Sequence, residues 1–533
     1  MSDEHQTENN SNRSGSTDPT LAGREHAGGA ATAKRKKTGI QALGLGLVAV
    51  IIGVVVAITV SGGNNENSEA SVVLGVVLPP SNLDTLTTSG VALDQVLIDN
   101  VYEGLVGRDA QGNYIPSLAA SWDISDDSLT YTFHLAEGTK FSNGNPLGAN
   151  EVVWSIERLR DTEGFVAHSE LALVTSVTAT DEQTVEIVLS QPNPDLLWSL
   201  SGRAGLVYDP LAQYDPAVTA VGSGPFLLAE WKEGDSITLV RNEDYWGEAA
   251  KVAEVVFRYI DEPSAAINAL RSGDIDAQLP ILDVALRSQV EELDGYSLIE
   301  GDASDKWVLA FNNGAEPFTD IRVRQALRHA IDNQALITSR GNVDHLLGGP
   351  IYSGDPGYEE LDIYPYNPQR AQELLAEAGY GDGLNLELII PNIYGTAIPD
   401  LLVSQFNAVG VTLTVQSVEF PTWLNDVYIN KDYQLSIVDH AEARDFVNWT
   451  NPDYYFSYDN AEVQRLYAEA KVATDDAEHE RLLAEAARIV SEEAAADWLF
   501  NFRTLSAVSD SLEGLPTDNI NSRLDVTGLS KKG

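Results

Sequence analysis

Two periodicities alternate along the chain. Residues 71–78 (SVVLGVVL) form an apolar run with the length of a buried strand. In 129–135 (LTYTFHL), Leu129, Tyr131, Phe133 and Leu135 recur at every second position and predict a half-buried strand; Thr184–Leu189 predicts another. Elsewhere apolar residues recur at three and four. This spacing predicts helices over 93–105, behind Asn150 (Val153, Ile156, Leu159) and behind Asp320 (Val323, Ala326, Leu327, Ala330, Ile331). Asn367 followed by Pro368 reads as an N-cap with proline at the first helical position; Leu374, Leu375 and Ala378 form the stripe, and Gly379 stops it. Two late helices follow. One starts after Asn460 with Val463, Leu466 and Tyr467. The other starts after Asp475 with Glu478 at capping-box spacing and a stripe of Leu482, Leu483, Ala486, Ile489 and Val490. Strands and helices mix throughout, which predicts an α/β fold with substantial mixed sheet, and no short-period repeat is present.

The first 70 residues break this pattern. Residues 1–39 are polar and end in the basic cluster Lys34, Arg35, Lys36 and Lys37, which predicts a disordered tail. In residues 40–60 only Gln41 and Thr59 are polar among Gly, Ala, Val, Ile and Leu. At 1.5 Å per residue that length matches a hydrocarbon core of about 30 Å, and the basic cluster predicts that the tail stays cytoplasmic. An uncleaved anchor is the preferred reading. A cleaved secretory signal, cut after Ala57 or Gly62, is the alternative, although its apolar stretch normally runs to about 7–15 residues. Residues 61–70 read as a polar linker, and everything beyond faces outside.

Charge narrows the function. Of 33 Lys and Arg and 80 Asp and Glu, residues 1–60 hold 6 and 5, so the exterior part carries 27 basic against 75 acidic side chains. Such a surface excludes phosphate-rich partners: no nucleic acid is expected, and no docking on anionic lipid heads. It fits a salt-rich habitat and, equally, a general solubility device. The chain has no cysteine, which removes disulfides, thiolate metal sites, cysteine nucleophiles and cysteine-linked lipid anchors.

The local signatures of catalysis are missing as well. There is no G-x-x-x-x-G-K-[ST] loop and no G-x-S-x-G elbow. His479-Glu480 begins an H-E-x-x-H pattern, but Leu483 stands where the second histidine belongs. The eight histidines show no metal-ligand spacing, and carboxylate pairs arise by chance among 80 acids. A binding protein without cofactor or metal is expected, not an enzyme.

Six stretches, taken together, resemble one family. They are 100–158 (from NVYEGLVGRDAQGNYIPSLAASW to EVVWSIER), 222–246 (GSGPF to NEDYW), 269–277 (ALRSGDIDA), 311–331 (FNNGAEPFTDIRVRQALRHAI), 366–380 (YNPQRAQELLAEAGY) and the two late helices in 455–490. The chain resembles the extracellular solute-binding proteins of ABC importers in the dipeptide, oligopeptide and nickel group, family 5. The resemblance spans most of 71–525 and implies a two-lobed, periplasmic-binding-protein-like fold of type II with three subdomains. Lobe 1 would comprise 71–112, 205–303 and 500–528, an inserted subdomain 113–204, and lobe 2 304–499, with crossing segments near 307–311 and 499–503 as the hinge. Three departures stand out. The anchoring cysteine is absent, Asn143 and Asn150 replace the commoner Asp, and Asp439-His440 replaces a Gly-Trp pair.

The resemblance further implies a ligand between the lobes and a membrane permease and ATPase as partners. It places Ser89, Gly90 and Val91 on the loop that pairs with a ligand main chain, where a glycine admits another backbone. It assigns to Asp445 the pairing with a peptide's ammonium, with Asp439 as the rival because the match needs two extra residues. His440 and Arg444 flank these positions, and Arg444 is suited to a ligand carboxylate. Trp307, Trp423 and Trp449 fall in segments expected near the cleft, although a core Trp is the commoner outcome. Gly222, Gly224 and Pro225 read as a structural turn that places Phe226 in the core.

Overall fold

The computed structural model describes residues 68–533 apart from Ser89, Ala110, 282–285, Asn521 and Gly533. The tail, the apolar segment 40–60, nearly all of the linker and Ser89 lie outside the described residues. Among the described residues no helix is long and apolar enough to cross a membrane.

The first half begins with β1 (Ser71–Val76), α1 (Val91–Leu97), β2 (Val106–Arg108) and β3 (Tyr114–Pro116). An inserted layer follows: β4 (Ala119–Ile124), β5 (Thr130–Leu135), α2 (Ala149–Asp161), β6 (Val174–Ala179), β7 (Thr184–Leu189) and α3 (Leu196–Leu200). Its four strands pair antiparallel in the order β4-β5-β7-β6. The period-two pattern holds here, because Tyr131, Phe133 and Leu135 are all buried on one face. The chain then returns through β8 (Phe226–Lys232), β9 (Ser236–Arg241), β10 (Glu254–Tyr259), α4 (Pro263–Ser272), β11 (Ala277–Leu279) and α5 (Arg287–Glu291).

The second half contains β12 (Tyr296–Phe311), α6 (Ile321–Ala330), α7 (Asn333–Ser339), α8 (Pro368–Glu377), β13 (Leu384–Pro391), α9 (Ala397–Ala408), β14 (Val411–Val418), α10 (Phe420–Trp423), β15 (Leu435–His440), α11 (Ala461–Ala470), α12 (Asp476–Glu492) and β16 (Ala496–Ser509). The caps on α6, α8, α11 and α12 fall where the sequence puts them. Asp320, Asn367, Asn460 and Asp475 each accept a backbone N–H from the first turn. Two helices differ from expectation. The helix behind Asn150 is capped at Gly148, whose N–H donates to Glu151, so Asn150 lies inside the helix. The helix over 93–105 stops at Leu97. Asn100 donates its side-chain amide to the carbonyls of Val96 and Leu524, so Val101, Tyr102 and Leu105 are buried outside the helix.

One ten-stranded sheet runs through both halves in the order β14-β13-β15-β12-β16-β11-β1-β10-β9-β8. β12 and β16 are the shared strands. Tyr296 to Asp302 pairs with Ser509 to Arg503, and Lys306 to Ala310 pairs with Asn501 to Ala496, with a register break between Asp302 and Lys306. Each half has its own apolar core. One surrounds Leu74, Phe133, Phe226 and Phe257; two more, centred on Phe311 and Trp498, cover the two faces of the second half's sheet.

The motif stretches meet around residues 100–103. A Cβ on Gly222 would lie 1.9 Å from the Val101 carbonyl oxygen, and one on Gly224 2.5 Å from that of Asn100. The missing side chains let Gly224 N–H and Phe226 N–H donate to those two carbonyls at 3.0 and 2.9 Å. Gly222→Ala is therefore expected to lower unfolding stability by about 1–3 kcal/mol, because backbone must shift to make room. Urea unfolding midpoints measure this, and an unchanged midpoint would contradict the packing described.

Glu103 is buried beside them. It accepts from Tyr245 Oη at 2.6 Å and Trp246 Nε1 at 2.9 Å, the last two residues of the NEDYW stretch. Burial pushes its carboxyl up from 4.5 to about 7, against the pull of these donors. The folded state thus holds a proton that the unfolded state releases above 4.5. Stability falls as pH rises from about 4.5 to 7 and is level beyond, with a cost of roughly 3–4 kcal/mol. Glu103→Gln should flatten that slope and raise the thermal midpoint at pH 8. An equally steep slope in the variant would remove Glu103 as its source.

Candidate functional site

The register break in β12 turns a short segment away from regular pairing where the halves adjoin. Beside it, Lys306 stands opposite His440 and Trp307 opposite Asp439 on β15. Lys306 is 2% exposed. Its Nζ donates to the carbonyls of Ser304 at 3.1 Å and Glu442 at 2.8 Å and lies 3.2 Å from Asp445 Oδ1. Burial works against the Lys306 charge, but Asp445 and Asp355 outweigh it and its pKa is raised. The Asp445 Oδ2 is 3.7 Å from His440 Nδ1. His440 packs parallel to the Tyr455 ring and pairs with its hydroxyl at 2.9 Å. Burial, then Lys306, lowers the His440 pKa to about 4, so the ring is neutral at pH 7.

Two further carboxyls are buried nearby. Asp439 shares a side-chain hydrogen bond with Asp305, and its other oxygen, Oδ1, has no partner. Burial and the Asp305 charge raise its pKa well above the carboxylate range, so the pair holds a proton. Asp355 Oδ2 accepts the Arg444 N–H at 2.5 Å, while Oδ1 has no partner. Burial raises the Asp355 carboxyl to about 6, against Lys306.

The opposing half contributes Arg108 from β2, Tyr114 from β3 and Asp195 and Trp198 at α3. Asp195 Oδ1 accepts from Arg444 Nη1 at 2.8 Å and Oδ2 from Lys471 Nζ at 2.7 Å, both cations coming from the second half. Burial opposes ionisation of Asp195, but Lys471 and then Arg444 outweigh it and hold the carboxyl below its ordinary range. The Arg444 guanidinium lies over the Trp198 ring at 4.2 Å and that of Arg108 over the same ring at 3.6 Å. Arg444 reaches this point from a left-handed backbone conformation, φ 57°, fixed by its hydrogen bond to Asp355. A crevice open to solvent runs between these groups, lined among others by Asp195, Asp355, Arg444, Asp445, Tyr467 and His479.

The remaining expected site residues are placed as follows. Gly90 is exposed with φ 113°, and a Cβ there would meet nothing within 4 Å, so conformation rather than close approach calls for glycine. Its carbonyl accepts from Arg203, which also binds the carbonyls of Thr85 and Thr88. Val91 opens α1 and is half-buried. The three tryptophans are core residues. Trp307 packs between Tyr394 and Phe500, Trp423 donates to Ser436 at 2.8 Å, and Trp449 stacks on Phe456 at 4.0 Å. Among the described residues no group of three or more His, Cys, Asp or Glu is arranged to hold a metal ion.

Sequence reading missed Lys306, Asp305, Asp355, Asp195, Trp198 and Arg108. Only Lys306 carried a usable signal. It heads the apolar run KWVLAF in a chain with eleven lysines in all, and a lysine beginning a buried strand needs a counter-charge.

Comparison with known proteins identifies the family and the fold. Residues 113–465 match the profile of the bacterial extracellular solute-binding proteins, family 5. A putative ABC transporter peptide-binding protein of Brucella ovis is 32% identical over 343 residues, covering 60% of this chain and 63% of the relative's length. The heme-binding protein A of Haemophilus influenzae is 27% identical over 71% of this chain and 77% of its own. Among solved structures, the ABC transporter substrate-binding protein CtaP of Listeria monocytogenes superposes with a TM-score of 0.80 at 21% identity, over 88% of this chain and all of that one. The fold is the two-lobed α/β fold of periplasmic binding proteins, and the chain belongs to the bacterial extracellular solute-binding proteins of family 5.

Proposed function

We propose that this protein is the extracellular substrate-binding component of an ABC importer, capturing peptides or similar small organic solutes between its lobes and delivering them to a permease. The observation that carries the reading is the meeting of side chains from both halves at Asp195, beside two strands that cross between the halves with a register break. Two rigid bodies joined by a narrow crossing move as a hinge, and a guest that touches both shifts the balance toward closure by its differential affinity. The Brucella relative is named for peptide binding and the Haemophilus relative for heme binding, so peptide is the leading cargo class and other organic solutes the alternative. Energy for transport comes from a separate ATPase, in keeping with a sequence that lacks a P-loop. The apolar stretch 40–60 behind its basic cluster serves as the tether that keeps the binding domain on the outer face.

A chain without cysteine makes the test direct. Cysteines introduced at exposed Glu182 and Glu480 and labelled with a dye pair should report a shorter separation in the full chain when a cargo pool is added, with heat released in calorimetry. A separation unmoved by every peptide, sugar and chelate pool, together with turnover of one of them, would replace the receptor by a hydrolase.

A further inference from the structure

The crevice between the halves is lined by a carboxyl group with one oxygen that no donor of the chain satisfies. Asp355 is 9% exposed. Its Oδ2 accepts the Arg444 N–H at 2.5 Å, while Oδ1 is buried without a partner. A buried oxygen in that state costs free energy until a donor reaches it. The loop holds the residue in place: Pro350 and Pro356 stiffen the backbone, and the Asp355 N–H donates to the Tyr352 carbonyl at 3.0 Å. The cations around it are committed elsewhere. Lys306 Nζ is shared among Asp445 and two carbonyls, and Arg444 Nη1 and Lys471 Nζ both go to Asp195. His479, on the same lining, donates its Nδ1–H to the Ala470 carbonyl at 2.9 Å, so the free nitrogen of the neutral ring is a further acceptor. Much of the remaining wall is apolar, from Ile351, Phe446, Tyr467 and Leu483. About 30 Å³ is free for the centre of a water-sized group, enough for one ammonium head with its stem leading out to solvent. Asp439 also has an oxygen without a partner, but it does not line the crevice and shares a proton with Asp305.

We infer that Asp355 Oδ1 is the acceptor for an alkylammonium group of the cargo, supplied by an amino terminus or by a lysine side chain. This rests on the cargo-capture reading above and names the chemistry of one contact. The missing donor is then brought by the guest, as a charge-assisted hydrogen bond made only when cargo is seated. Asn at 355 is the informative change. Its amide oxygen keeps an acceptor for the Arg444 N–H, and its NH₂ turns the crevice-facing atom from acceptor into donor.

The test uses the full chain in detergent at pH 8, where the Asp355 carboxyl, pushed by burial to about 6, is ionised. Three tetrapeptide pools serve as probes: lysine-free with a free amino terminus, acetylated with one lysine, and acetylated without lysine. Bound peptides are quantified by mass spectrometry after equilibrium dialysis. The natural protein should hold at least one of the first two pools tenfold or more over the third, and the pool that exceeds it identifies the source of the ammonium. In Asp355→Asn that preference should fall at least fivefold. A preference under tenfold in the natural protein, as when water alone meets Oδ1, overturns the inference while leaving peptide capture intact, and so does a smaller fall in the variant. If the natural protein holds no pool, peptide cargo fails, and n-butylammonium followed by saturation-transfer NMR decides. A signal that drops at least fivefold in Asp355→Asn supports the inference, and a smaller drop or no signal overturns it. Should Asp355→Asn not fold, hydrogen exchange in the natural protein takes its place. An ammonium-bearing pool should slow exchange of 350–356 and 444–446 at least threefold relative to the acetylated, lysine-free pool, and a smaller effect there overturns the inference.

Discussion

Lys306→Met is expected to lower unfolding stability by about 3–5 kcal/mol, the cost of leaving one member of a buried ion pair without its partner. The reason lies in what remains. Asp445 would keep its desolvated carboxyl without a cation, beside a backbone N–H and neutral His440 at 3.7 Å, and the carbonyls of Glu442 and Ser304 would each lose a donor. Two routes of relief follow. The variant can protonate Asp445, so its deficit should shrink as pH falls toward 5. A second substitution, Asp445→Leu, removes the stranded charge altogether, and the double variant should recover most of the loss, since buried pairs are often replaceable by apolar groups at little net cost. Urea midpoints for the natural protein, both single variants and the double variant form the cycle that isolates the coupling. Additive losses, with no recovery in the double variant, would mean that Lys306 and Asp445 do not act as a pair.

How far the sequence anticipated this depends on whether a signal was local. Caps at Asp320, Asn367, Asn460 and Asp475 are local chemistry, satisfied within one helical turn, and they stand where the residues put them. The alternation at 131, 133 and 135 is local too, and those side chains face the core. The helix over 93–105 is shorter than its apolar spacing suggests because a distant partner intervenes. Asn100 is held by the carbonyl of Leu524, more than 400 residues along the chain.

The candidate site shows the same division. Arg444 and Asp445 could be singled out from the loop that holds them, but their partners could not. Asp195 is one acid among 80, and its pairing with Arg444 and Lys471 exists only through the packing of one half on the other. The tryptophans mislead for a related reason. Trp307, Trp423 and Trp449 fall in segments that the resemblance puts near the cleft, yet each is buried: Trp307 on β12 stacks on Phe500, Trp423 in α10 donates to Ser436, and Trp449 stacks on Phe456. Side-chain direction at these positions is set by packing between distant segments, which no local pattern carries.

Asp195→Ala should open the cargo-free protein. Asp195 is the point where two cations of the second half meet the first. Each contact is a charge-assisted hydrogen bond of 2.7–2.8 Å on a carboxylate only one-fifth exposed. Such bonds contribute about 1.5–3 kcal/mol apiece when buried, and partial exposure reduces that, so losing both removes about 2–4 kcal/mol of bias toward contact. The corresponding change in the ratio of closed to open molecules is roughly 30- to 1,000-fold. The dye pair at positions 182 and 480 should therefore report a longer mean separation in Asp195→Ala without cargo, and cargo should dissociate faster because it alone must now hold the halves together. Arg444→Lys is the informative companion. It keeps a charge for Asp195 but loses the planar stack over Trp198, so it should open the protein less than Asp195→Ala does. A cargo-free separation that is the same in Asp195→Ala as in the natural protein would mean that the halves are held by apolar packing, and that the ionic contact only decorates a closure decided elsewhere.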